Sequence, residues 1–198
     1  MTLAYRVALF LHIAALLGAI AASTLLHFFQ HRIAASERAP EARRWTALSM
    51  RVSIVFPIAL LTLVATGGYM VSQAWTWGAG WVDAWLVGAV LLLANGIRLG
   101  KQGRATLGAL EQAGDRPLSG PTVAAKRAAM AAYANTGVAT AVVFVMSLKL
   151  DLAGSLVTLA IGGLGGAFVG ARSVRVARAV GDAPADSALD GEPGAEPA

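Results

Sequence analysis

Apolar residues run through this chain in long unbroken stretches and do not alternate with polar ones. About 18 or more consecutive apolar residues suffice for a helix to cross the hydrocarbon core of a bilayer. Such stretches lie at about residues 5–29, 51–72, 81–99, 128–148 and 152–171. None shows the period-two pattern of a barrel strand, and lipid admits only helices and closed barrels. The pattern predicts an all-α, polytopic membrane helical bundle of five transmembrane spans over residues 1–178.

Polar punctuation divides the spans. A polar loop at residues 33–45 follows span one, and Pro40 within it is expected to break the helix. Pro57 lies inside span two, where a kink is expected, with Thr62 and Thr66 placed to re-satisfy freed backbone locally. Span three is followed by Arg98, Lys101 and Arg104, and its helix is expected to run on toward Leu110 before the turn signals Gly114-Asp115-Arg116-Pro117. A polar helical stretch starts near Thr122. The link between spans four and five is very short, around Lys149-Leu150-Asp151. Residues 179–198 are rich in Ala, Pro, Gly and acids, and this composition predicts a disordered acidic tail. The first apolar run is longer than a signal-peptide core and its charged leader is only Arg6, so it reads as an uncleaved span.

Charge sets the threading. Of the 16 Lys and Arg, all but Arg6 and Lys149 fall after span one, after span three or after span five. The positive-inside rule then predicts an N-out/C-in orientation with the base-rich side cytoplasmic. The net charge of +5 does not argue for nucleic acid, because the bases flank membrane spans, where topology and anionic lipid account for them. There is no cysteine, which excludes disulfides, thiolate nucleophiles and cysteine metal clusters. No hydrolase elbow, phosphate loop, dinucleotide fingerprint or carboxylate pair occurs, so the chain is not expected to be an enzyme.

Three groups of residues are candidates for special roles. Trp75, Trp77, Trp81 and Trp85 cluster at the junction of spans two and three and read as an interfacial aromatic belt, with a lid over a cavity as the alternative. Gly162, Gly166 and Gly170 repeat every four residues and predict a helix-packing groove, either within the bundle or as the seam of a homodimer through span five. The three histidines, His12, His27 and His31, all lie on span one. His12 shares a face with Tyr5, Ala8, Ala15, Ala19 and Ser23, and it alone sits well inside the hydrocarbon zone. Intramembrane ionisable groups are functional candidates by default. Three readings stand for His12: a neutral structural hydrogen-bond donor, a metal or haem ligand, and a proton-relay group. Copper(I) takes imidazole and thioether ligands, and Met70 and Met146 end their spans on the same side. Haem has weaker support, since His12 and His27 stand roughly 22 Å apart along the helix and cannot share one. His27 and His31 read as rim residues at the interface near Arg32.

Short motifs suggest a relationship. Phe10-Leu11-His12-Ile13-Ala14-Ala15-Leu16-Leu17-Gly18 and Thr66-Gly67-Gly68-Tyr69 resemble segments of the bacterial copper-resistance-protein-D-like and related integral membrane proteins. Met146-Ser147-Leu148-Lys149 is similar to a Met-x-x-Lys-Pro ending in some of them, with Leu150 in place of the proline. The resemblance implies a small bacterial inner-membrane protein with copper handling as one association, and it carries over His12 as the residue of interest. Transport or metal handling through the His12 face is the expected function. A scaffold or accessory subunit and a haem-binding electron-transfer subunit are the alternatives.

Overall fold

The structure, a computed structural model, describes residues 2–118 and 123–181, and the side chains of 2–118 and 127–173. It contains six helices: α1 (Leu3–Ala34), α2 (Ala39–Ser53), α3 (Val55–Ala74), α4 (Gly80–Ala113), α5 (Val123–Leu148) and α6 (Leu152–Gly181). Among the described residues there is no strand, only one isolated bridge between Arg38 and Pro117. α2 and α3 form a single apolar crossing, so five stretches are long and apolar enough to span a membrane. The chain is a five-span integral membrane protein with an all-α bundle.

Side-chain size follows from lipid as the solvent. Large apolar residues face outward, among them Phe10, Leu17, Leu61, Val90, Leu164 and Phe168. The interior is mostly small: Ala84, Ala141, Val82, Val142 and Val145 pack around Val71, Leu159 and two tryptophans. Lipid removes the hydrophobic drive between helices, so close backbone approach holds the bundle together. The α5–α6 pair shows this most clearly. A Cβ on Gly166 would fall 2.8 Å from the Tyr133 carbonyl carbon, and one on Gly170 would fall 2.8 Å from Met130 Cα. Gly162 faces Gly137 in the same way. The groove of Gly162, Gly166 and Gly170 is therefore filled by α5 of the same chain.

Several expectations need correction. The loop after α1 is only four residues long, because α2 starts at Ala39 and not near Arg51. Pro40 occupies the first turn of α2, where a missing N–H costs nothing, so it starts a helix as well as ending one. The α2–α3 break falls at Ile54, just before Pro57. Thr62 and Thr66 donate to the carbonyls of Ile58 and Thr62, too far along α3 to serve the Ser53 carbonyl freed by Pro57. α4 runs beyond Leu110 to Ala113, and Gly114 ends it with a positive φ of +61°, which glycine adopts without strain. α6 continues through Gly181, into the stretch expected as tail; residues 182–198 lie outside the described residues.

The aromatic belt splits in two. Trp75 and Trp77 are exposed at 45% and 52%, whereas Trp81 and Trp85 are buried at 8% and 5%. Trp81 and Trp85 stand on the first turns of α4 and point into the bundle, so they are core residues and not interface anchors. Trp75 packs edge-on against Trp81 and carries Lys149 Nζ 3.7 Å above its ring. Lys149 makes the tight α5–α6 turn with φ +53°, and Asp151 Oδ1 accepts from Gly154 N at 2.8 Å to cap α6.

At the opposite end two loops are tied together. Leu118 N donates to Glu37 O at 2.8 Å, and Ala39 N donates to Arg116 O at 3.2 Å. The loops after α1 and after α4 therefore lie at the same end of the bundle, as the distribution of bases predicts. α1, α2 and α4 extend past the apolar zone at this end.

Candidate functional site

α1 turns all three imidazoles toward other helices. His12 Nδ1 lies 3.0 Å from Thr66 Oγ1 on α3. The Thr66 hydroxyl has one proton, and it goes to Thr62 O at 2.6 Å. Thr66 must then accept, so Nδ1 of His12 carries the hydrogen and Nε2 keeps its lone pair. Gly67 supplies the seat. A Cβ there would stand 3.3 Å from both His12 Cε1 and Trp85 Cζ2, so the two rings rest on bare backbone from either side. A shallow apolar groove of about 550 Å³ opens beside this seat, lined by Val7, Ala8, Leu11, Ala65, Thr66 and Tyr69 among others.

A second polar cluster joins α1 to α5. Thr136 Oγ1 lies 2.9 Å from Ser23 Oγ and 2.9 Å from His27 Nε2. The His27 ring stacks on Tyr133 with centroids 4.0 Å apart. Tyr133 OH reaches His31 Nε2 at 3.2 Å. His27 Nδ1 is buried without a partner. An orphaned lone pair costs less than an orphaned N–H, so the proton sits on Nε2 and is donated to Thr136. α1 packs mainly on α2 and α3, and α5 mainly on α6, so these polar side chains carry much of the direct α1–α5 approach. His27 and His31 are therefore inter-helix ties and not merely rim residues. One turn away on α5, Asn95 of α4 donates to Ala131 O at 2.9 Å and to Asn135 Oδ1 at 3.0 Å.

Sequence reasoning singled out His12 but missed this second cluster. The available signal was on span four: Tyr133, Asn135, Thr136 and Thr140 interrupt an apolar run, and polar groups in lipid need partners. Between the two clusters α1 presents mainly small residues. His12 and Ser23 are about 16 Å apart along the axis, so the two polar groups do not form a continuous proton path.

Met70 follows Thr66 by one turn of α3, and Met146 packs against the interior cluster that contains Val71, Trp81 and Val145. Among the described residues no three His, Asp or Glu converge on one point. Comparison with protein-family models, curated proteins and solved structures finds no match.

Thr136 is the shared partner of Ser23 and His27 in the second cluster, so its loss should be non-additive. Thr136→Val is expected to destabilise the bundle by roughly 1–2 kcal/mol, the upper range for hydrogen bonds between membrane helices. Adding Ser23→Ala should cost almost nothing more. Reversible unfolding of single and double variants in mixed micelles measures this, and additive losses would show that Ser23 and His27 are held elsewhere.

Proposed function

We propose that the protein is a non-enzymatic membrane protein that handles a metal ion at the His12 face, in a bacterial inner membrane with the base-rich end cytoplasmic. One observation carries the reading. Thr66 holds the His12 ring by Nδ1–H, leaving Nε2 as a fixed lone pair, and metal-binding imidazoles are oriented by this kind of second hydrogen bond. Copper(I) suits an imidazole with thioether ligands, and Met70 lies one turn beyond Thr66 on α3. The short motifs around His12 and Gly67 that resemble copper-resistance-protein-D-like proteins agree with it.

The second cluster favours an alternative. His27 and His31 find their hydrogen-bond partners inside the chain, as expected of a scaffold or accessory subunit whose polar groups only tie helices.

Metal content separates the two readings. Protein purified from copper-supplemented cells should hold copper in wild type and lose it in His12→Ala. Thr66→Val should weaken retention by about 10–100-fold, the usual effect of removing an orienting partner. Equal copper in all three proteins would leave the scaffold reading. A Soret band in the visible spectrum would replace both with a haem subunit.

A further inference from the structure

We infer that α2 and α4 form a binding site for the phosphate headgroup of an anionic phospholipid, with Arg51 and Arg104 as its clamp. The inference does not depend on the metal reading.

Met50 of α2 lies over Gly103 of α4, 3.6 Å from where a Cβ would stand, and this contact fixes the register of the two helices. α2 leads into the bilayer while α4 leaves it, so they are antiparallel. Successive residues turn by about 100° around a helix. Stepping one residue beyond the contact on each of two antiparallel helices leads to the same side of the pair. Arg51 and Arg104 are those residues. They flank one groove, within about 3 Å of each other in depth. Arg44 is about 20° round from Arg51 and two turns farther out. The buried positions of α2, Ala39, Ala42 and Thr46, lie about 120–180° away, so the groove is on the outer side.

These cations are exposed, and none has an ion-pair partner among the described residues. Among the described residues the one ion pair is Arg32–Glu41. The acid nearest along this face of α4 is Glu111, two turns and about 10 Å beyond Arg104. Guanidinium groups match phosphate oxygens bidentately, and two of them from facing helices make a directional site.

The surface below the clamp argues for a lipid over a soluble phosphate. Beneath Arg51, past the α2–α3 break, Val55 and Ile58 are 38% and 62% exposed. Beneath Arg104, Ile97 and Leu93 hold within about 20° and are 53% and 48% exposed. Two columns, each a cation above apolar residues, present a headgroup site continuous with an acyl-chain track. A phospholipid of the leaflet on the base-rich side would place its headgroup at the arginines and its chains on the apolar residues.

The test is a titration of full-length protein in detergent with phosphatidylglycerol, read as the rise in thermal unfolding midpoint. Phosphatidylcholine and inorganic phosphate serve as comparison ligands. Wild type and Arg6→Gln, at the other end of the bundle, should respond alike to phosphatidylglycerol and little to the comparison ligands. Each near-surface cation contributes to anionic-lipid attraction, so Arg51→Gln and Arg104→Gln should each weaken the response by about fivefold, and the double variant by about 25-fold. An unchanged affinity in the single and double variants would overturn the site. So would an equal response to inorganic phosphate, which would make the ligand soluble. Amidating the five tail acids (Asp182, Asp186, Asp190, Glu192 and Glu196) should leave the affinity unchanged. Several-fold tighter lipid binding would identify the tail as the occupant of the groove and reject the lipid.

Discussion

Gly137→Ala is expected to unseat α5 from α6 and to be among the most destabilising single-methyl changes in the chain. A Cβ at Gly137 would be driven into the Gly162 carbonyl, with its carbon 2.8 Å away. The obstacle is backbone, which no rotamer change can relieve. Overpacking a tight contact costs about 1–3 kcal/mol, and this site belongs at the top of that range. Gly162→Ala and Gly166→Ala meet backbone in the same way, at Gly137 O and at the Tyr133 carbonyl carbon. Gly165 is the control, since nothing lies within 4 Å of a Cβ there. At Gly165, alanine should be neutral or stabilising by up to about 1 kcal/mol through helix propensity. Thermal midpoints from size-exclusion chromatography of heated, detergent-solubilised protein would show the contrast. The same measurement addresses a homodimer through α6. An internal seam predicts a lower midpoint at unchanged size. Dissociation of a dimer at unchanged midpoint would make the seam intermolecular.

The contrast between Gly137 and Gly165 shows what was legible in the sequence. Five spans were, because lipid demands runs of a fixed length and the chain supplies five. The placement of the loops at one end was legible from charge, and the bonds between residues 37–39 and 116–118 agree with it. The Gly162-Gly166-Gly170 stripe was visible as a groove, but not its occupant, because Gly137 is an isolated glycine with no period of its own. α2 was misread because a proline that ends one helix can also begin the next, and only the capping geometry distinguishes these. The tryptophans were misread because composition near a span end does not give radial direction. Trp77 and Trp81 are only four residues apart, yet one is exposed and the other buried.

The candidate site divides along the same line. His12 was legible as a lone ionisable group in an apolar run. Its partner Thr66 was visible only as a local backbone cap, and its link to His12 spans 54 positions. The His27 and His31 partners lie more than 100 positions away, so no local pattern contains them. Helix register decides which polar residues meet, and close contacts such as Gly67 under His12 set that register.

Trp85→Ala is therefore expected to damage the His12 site without touching it directly. The indole is 5% exposed and shares the Gly67 seat with the His12 ring. Removing it leaves a void among α1, α3 and α4. In lipid the transfer term that penalises such changes in water is largely absent, so the loss is mainly of packing contacts. Roughly 3 kcal/mol remains a fair expectation, at the lower end of the range for large buried aromatics. Trp77→Ala, at an exposed position, should cost less than about 1 kcal/mol. The two thermal midpoints test the division of the aromatic cluster, and equal losses would return Trp85 to the interfacial belt. A second readout tests the link to the site. Diethyl pyrocarbonate modifies neutral imidazoles that it can reach. With its neighbour gone, His12 should react several times faster in Trp85→Ala than in wild type, while His31 at the exposed rim should react at the same rate in both. An unchanged His12 rate at a lowered midpoint would mean that Trp85 stabilises the bundle but does not shield the imidazole. Thr66 and Gly67 alone would then hold the ring.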